Sequence, residues 1–299
     1  MNDDRHISGQ DSNADDFSRR DFVALSLAAG VAAATTTSAR GADLPVTETN
    51  VMVKTPDGTC DAAFIHPTTG KHPGVLIWAD AFGLRPSMRD IGKRIAAAGY
   101  SVLVPNPFYR TAKAPVFADA STFNFANQDD RAKLQPLMGP LNMPGNAEKD
   151  AAAYIAFLDA QPQVDKAKKI GTQGYCMGGP LVVKTAATVP DRVGAGASFH
   201  GGGLVTDQPN SPHLLAPKIK ARMYFGIASN DDMRQPDAKD KLREAFAAAH
   251  VPAEIEVYPA LHGWCVPDMP KGDNGMPIYS KPDAERAWGK LVALYATLA

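Results

Sequence analysis

One stretch, from Lys169 to Thr188, constrains this chain more than any other. Lys169–Gln173 reads as a strand, Gly179–Thr188 as a helix, and between them lies Gly174-Tyr175-Cys176-Met177-Gly178-Gly179. A strand that passes into a helix over so few residues places its central residue on a tight, strained corner. Glycines on either side remove the side chains that would collide there. Such a corner lifts a nucleophile above the edge of a sheet and sets it at a helix N-terminus. The dipole there favours thiolate, and the amide of Met177 points toward a developing oxyanion. Taken alone, Gly-x-Cys-x-Gly also fits a buried cysteine in a helix-capping turn.

The flanking sequence repeats the same alternation. Strands are predicted at Asn50–Lys54 and Thr59–His66 around Pro56-Asp57-Gly58, then at Val75–Trp78, Ser101–Val104, Val193–Phe199, Met223–Ala228 and Ala253–Tyr258. Helices are predicted at Ser87–Ala98, Ala147–Leu158, Pro236–Ala249 and Pro282–Leu298. Near-continuous apolar strands separated by helices imply a mostly parallel sheet covered by helices on both faces. Residues 43–299 read as a single α/β domain. One segment, at about 108–145, is rich in Pro, Asn and Met with weak periodicity, and is expected to be a lid-like insertion. Hydrophobic residues at 44% supply a sizeable core. With 31 basic against 32 acidic residues, there is no electrostatic footprint for nucleic acid or an anionic membrane surface. Three cysteines without a C-x-x-C pair, and histidines without metal spacing, give no reason to expect a metal or other cofactor.

Residues 1–42 read as an address. Arg19-Arg20 precedes a mild apolar run from Phe22 to Ala34 and then the small residues Thr35 to Ala42, in the order of a twin-arginine export signal. The run of 13 residues is too short to span a bilayer. Cleavage is expected after Ala39 or Ala42, translocation by the twin-arginine machinery, and a periplasmic or secreted mature protein without a membrane span.

The order of reactive groups adds to the corner. Gly226-Ile227-Ala228-Ser229-Asn230-Asp231-Asp232 supplies carboxylates where a strand ends, and Tyr258-Pro259-Ala260-Leu261-His262-Gly263 supplies a histidine after the next. Nucleophile, acid, histidine is the order that a nucleophile elbow on such a sheet requires.

With Gly174-Tyr175-Cys176-Met177-Gly178-Gly179, Asp80-Ala81-Phe82-Gly83-Leu84, Pro105-Asn106-Pro107-Phe108-Tyr109-Arg110 and His262-Gly263-Trp264, the chain over roughly residues 50–298 resembles the dienelactone hydrolase family of the α/β-hydrolase superfamily. The resemblance implies an α/β-hydrolase fold, with Cys176 as nucleophile, Asp231 as orienting acid and His262 as base. Asp231 fits the end of the strand better than Asp232, which would then be a solvated carboxylate. It further implies the amides of Ala81 and Met177 as oxyanion donors and Arg110 as a partner for a substrate carboxylate. Asp80 stands where the family has an activating glutamate; a helix N-terminal carboxylate near Arg85 is the other reading. A second substrate arginine of the family is Val266 here, which argues against a dianionic substrate.

The expected activity is therefore cofactor-independent hydrolysis of a lactone or small carboxylic ester through a cysteine nucleophile. A thioesterase, or a non-catalytic small-molecule-binding protein on the same fold, are the alternatives. A glutamine amidotransferase would carry His-x-Glu, where this chain has Trp264. His200-Gly201-Gly202-Gly203 resembles a lipase oxyanion motif but follows the nucleophile, so it is expected to be a tight turn with His200 at the pocket rim. A Cys60–Cys265 disulfide is conceivable in an oxidising compartment. Phe117, Phe123, Phe125, Met138 and Met143 would wall an acyl pocket or pack the lid down.

Overall fold

The computed structural model describes residues 43–272 and 275–298, so the export-signal reading of residues 1–42 lies outside the described residues. Eight strands form one sheet: β1 (Val46–Thr55), β2 (Gly58–Pro67), β3 (Gly74–Trp78), β4 (Ser101–Pro105), β5 (Ile170–Tyr175), β6 (Val193–Phe199), β7 (Arg222–Ala228) and β8 (Ala253–Tyr258). Their order is β1-β2-β4-β3-β5-β6-β7-β8. The β1–β2 hairpin and the β2–β4 pair are antiparallel, and every other pair is parallel. This is the mostly parallel sheet that the alternation predicts.

Strands β3, β4 and β5 are buried along their whole length because helices cover both faces. On one face lie α3 (Asn146–Ala160), α4 (Gly178–Thr188) and α6 (Ala238–Ala248), in one core with Leu76 and Trp78 of β3. On the other lie α1 (Pro86–Ala97) and α7 (Lys281–Tyr295), in a second core with Val75 and Ile77. Alternate residues of one strand thus feed two separate cores, as the two-residue period of a strand dictates. Cys60 belongs to the first core and Cys265 packs against the second, so the sheet separates them. Both are free thiols, and the conceivable disulfide between them is not formed.

The insertion carries more structure than its sequence suggests. Helix α2 (Gln128–Asn142) forms in spite of Pro136 and Pro140, with the side chain of Asn127 accepting the Asp129 amide at its start. Only Leu137 and Leu141, one turn apart, are buried. Upstream, Asp61 of β2 ties the segment down: it accepts from the Asn106 side chain at 2.9 Å and from the Ala114 amide at 2.8 Å. A short helix, α5 (Ser229–Arg234), also follows β7 directly.

Candidate active site

The corner after β5 shows why its glycines are glycines. A Cβ on Gly174 would lie 2.2 Å from the Gly178 carbonyl oxygen, and one on Gly178 would lie 2.4 Å from the Trp78 carbonyl oxygen. One on Gly179 would meet the Gly201 Cα and the Ser198 Oγ, each at 2.5 Å. Between them Cys176 takes φ of +50°, a left-handed conformation that costs a side-chain-bearing residue energy and must be held by its surroundings. The end of β6 does the holding. The Cys176 amide donates to the Phe199 carbonyl at 3.1 Å and to Nδ1 of His200 at 3.1 Å. Its carbonyl accepts the amides of Gly179 at 3.0 Å and Gly202 at 3.3 Å.

His262 comes to this corner from the loop after β8. That loop is fixed to the end of β7, where the Ser229 amide donates to the Ala260 carbonyl at 2.9 Å and the His262 amide to Oδ1 of Asn230 at 2.8 Å. Asp231 Oδ2 then stands 2.5 Å from Nδ1 of His262, while the thiol of Cys176 hydrogen-bonds to the same imidazole. Asp232 is turned away and bound by Lys239 at 2.7 and 2.9 Å. Burial alone would make the His262 cation harder to form. The bonds to Asp231 and Cys176 outweigh it and carry the pKa up to about 10. An imidazole so held keeps its proton at neutral pH.

The two candidate oxyanion donors are placed by strand register. Trp78 of β3 pairs with Gly174 of β5, so Ala81 and Met177 each stand three residues beyond the same rung. Gly178 fits under the Trp78 and Ala79 carbonyls, which keeps the two strand ends close. Among the described residues, the amides of Ala81 and Met177 donate to no protein group. Beside them stands an aromatic wall. Phe82, next to Ala81, packs edge-on against Phe117 at 5.5 Å and Phe123 at 5.1 Å, with Phe125 at 6.0 Å. Met138 packs against the first core, and Met143 is exposed.

The structure places Asp80 and Arg110 in ion pairs. Asp80, fully buried, takes both of its oxygens to Arg85, at 2.7 and 3.0 Å, and accepts the Phe82 amide at 2.9 Å. Arg85 also grips Asp268 at 2.7 and 2.8 Å, so one buried guanidinium joins the loop after β3 to the loop that carries His262. Arg110 binds Asp150 of α3 at 2.7 and 2.8 Å and Asp57 of the β1–β2 turn at 2.6 Å. Its guanidinium is thereby engaged by two carboxylates of the chain itself. The residue at position 266, Val266, is buried.

His200 differs from its sequence expectation. It is not at a rim but completely buried, with φ of +41° and its ring edge-on to His262 and to Trp264, each at 5.0 Å between centroids. Burial and the nearby His262 charge push its pKa well down, so it is neutral. The available signal was its position at the end of the strand beside the one that leads to Cys176. Among the described residues no group of three or more His, Cys, Asp or Glu side chains could hold a metal ion, and no helix is long and apolar enough to cross a membrane.

Known proteins share this architecture. A dienelactone hydrolase-like crystal structure from Klebsiella pneumoniae superposes with a TM-score of 0.69 at 21% identity, covering 84% of this chain and 99% of that one. A dienelactone hydrolase-like promiscuous phosphotriesterase from metagenomic libraries gives 0.68 at 23% identity, covering 86% and 99%. These likenesses show the α/β-hydrolase fold. In sequence, a carboxymethylenebutenolidase-like protein of Methylorubrum extorquens is 30% identical over 288 residues, 92% of this chain and 91% of the relative. The carboxymethylenebutenolidase of Rhodococcus opacus is 26% identical over 205 residues, 67% of this chain and 74% of the relative. The family model for dienelactone hydrolases matches residues 60–298, and with the fold and motifs above this places the chain in the dienelactone hydrolase family of hydrolases.

Proposed function

We propose that Cys176 is the nucleophile of a hydrolase that opens a lactone or cleaves a small carboxylic ester, with His262 as proton carrier and Asp231 as its orienting partner. The observation that carries this reading is the 2.5 Å contact from Asp231 to Nδ1 of an imidazole that also bonds the Cys176 thiol. The thiolate attacks the carbonyl carbon, and the oxyanion that forms is held by the amides of Ala81 and Met177, each worth roughly 3–4 kcal/mol. The carbon–oxygen bond then breaks, and His262 gives its proton to the departing alkoxide. His262 next takes a proton from water, whose oxygen attacks the acyl-thioester; the thiolate leaves and the acid is released.

The wall of Phe82, Phe117, Phe123 and Phe125 supports a substrate with an apolar body. The engagement of Arg110 with Asp57 and Asp150, together with Val266, supports a neutral substrate over a dicarboxylate. Export through the twin-arginine route is proposed on residues 1–42 alone, and N-terminal sequencing of the protein from a periplasmic fraction tests it.

The activity is tested by hydrolysis of p-nitrophenyl acetate and a panel of five-membered lactones by the full chain and by Cys176→Ala. Turnover that falls by about 10³-fold or more in the variant is the expected result. Equal inertness of both, with Cys176 titrating as a free thiol, would replace the hydrolase with a binding protein on the same fold.

A further inference from the structure

Away from the catalytic corner, on the α1–α7 face of the sheet, there is a cavity of about 560 Å³ between the two helices. None of Cys176, Asp231, His262, Ala81 or Met177 lines it. Its volume is that of a site for a drug-sized molecule. Tyr175 and Phe199, the last residues of β5 and β6, line it together with Ile91 of α1 and Ala287 and Leu291 of α7. Two residues that the proposed chemistry does not use also line it. Among the described residues the buried Ser87 Oγ has no hydrogen-bond partner, and the thiol of Cys265 is held in its protonated form by burial.

The charges around the cavity do not balance. Arg94 is spent on Glu285, at 2.9 and 2.6 Å, and Asp268 is spent on Arg85. Asp90 meets Lys93 at 3.1 Å. Asp119 is different: it accepts the Ser121 amide at 2.8 Å, and among the described residues no basic side chain is bonded to it. Its bonds to Ser121, with a smaller contribution from the Arg85 charge, hold this exposed carboxyl below the usual range, so it is an anion at neutral pH. An apolar chamber with a buried hydroxyl and one carboxylate not matched by a cation suits a ligand with a ring, a hydrogen-bonding group and a positive charge.

We propose that this cavity is a second small-molecule site, separate from the catalytic centre, that takes an apolar ring-bearing amine. The ring lies against Tyr175, Phe199 and Leu291, the Ser87 hydroxyl meets a polar atom of the ligand, and the ammonium stands toward Asp119. The proposal does not rest on the hydrolase reading and holds whether or not Cys176 turns over an ester.

Calorimetric titration of the full chain with 4-phenylbutylamine and with 4-phenylbutyrate tests it, because the two probes share one apolar body and differ in charge. Saturable one-to-one binding of the amine, with the carboxylate weaker by about tenfold or more, is expected. Asp119→Asn should narrow that difference. Ala284→Trp, which fills the cavity from the first turn of α7, should abolish amine binding, whereas Cys176→Ala should leave it intact. Far-UV circular dichroism checks the fold of the filled variant, and Ser87→Phe plugs the cavity from α1 as a second route. No saturable binding, equal binding of the two probes, or amine binding that survives both plugs would each overturn the proposal.

Discussion

The backbone amide of Cys176 donates to Nδ1 of His200 across 3.1 Å, so the N–H of the proposed nucleophile is directed at a buried ring. A ring nitrogen that accepts a hydrogen bond carries no proton, which assigns His200 as the neutral Nε2–H tautomer. Among the described residues its Nε2 has no hydrogen-bond partner, and its ring stands edge-on to His262. His200 therefore braces both members of the thiol–imidazole pair without adding a second charge beside His262. His200→Leu removes the acceptor and should cost about 1 kcal/mol in urea unfolding. It should also slow alkylation of Cys176 by iodoacetamide at neutral pH. His200→Asn, whose side-chain oxygen can accept the same amide, should recover part of that rate. An unchanged pH profile of alkylation in His200→Leu would reduce the residue to a space filler.

The imidazole of His262, with its pKa carried up to about 10, sets the pH response. Its ordinary value is about 6.5. Between those limits the folded protein holds a proton that the unfolded chain does not. The resulting stabilisation is complete below the unfolded value and is lost as pH rises through about 10. In the proposed mechanism the proton for the leaving alkoxide disappears over the same upper limb, so ester turnover should fall there as well. Asp231→Asn removes the carboxylate 2.5 Å away and should move that limb toward the ordinary imidazole value. A pH–rate profile of both proteins against p-nitrophenyl acetate checks the shift. Identical alkaline limbs would mean that Asp231 does not set the charge of His262.

How much of this was legible from residues alone depends on how local each feature is. The elbow was, because Gly174, Gly178 and Gly179 are needed by contacts within a strand, a turn and the neighbouring strand ends. The alternation of strands and helices was too, since buried parallel strands have few polar positions. Helix α2 was not: Pro136 and Pro140 argue against a helix, and only Leu137 and Leu141 mark its inner side. Asp231 and Asp232 are adjacent in sequence, and it is Lys239, seven residues on, that takes the second. The place of His200 requires the pairing of Tyr175 with Phe199 across β5 and β6, which no local pattern contains.

The elbow glycines give a prediction about folding. Gly174→Ala would place a methyl group 2.2 Å from the Gly178 carbonyl oxygen, and both atoms belong to backbone that is fixed by the strand and the helix start. The overlap cannot be relieved by a side-chain rotation. The variant should lose about 3 kcal/mol or more of stability, with the elbow itself displaced. At Gly145, by contrast, nothing lies within 4 Å of an added Cβ, and only its φ of +84° resists substitution. Gly145→Ala should therefore cost about 1 kcal/mol. Equal losses of the melting midpoint in the two variants would show that strain at the corner is relieved by movement of α4.

Arg110 separates a substrate contact from a structural tie. Its guanidinium joins Asp57 in the β1–β2 turn to Asp150 in α3, and Asp150 is fully buried, with Tyr109 also donating to it at 2.8 Å. Arg110→Met would leave that carboxylate buried with the Tyr109 hydroxyl as its remaining hydrogen-bond donor. Breaking one side of such a pair costs about 3–5 kcal/mol. The double variant Arg110→Met with Asp150→Leu removes both charges, and should recover a large part of the loss because no unpaired buried ion remains. On this geometry the KM for a neutral ester stays close to wild type in both variants, and the melting temperature carries the effect. A large rise in KM for a carboxylated ester, with the melting temperature unchanged, would return Arg110 to the substrate.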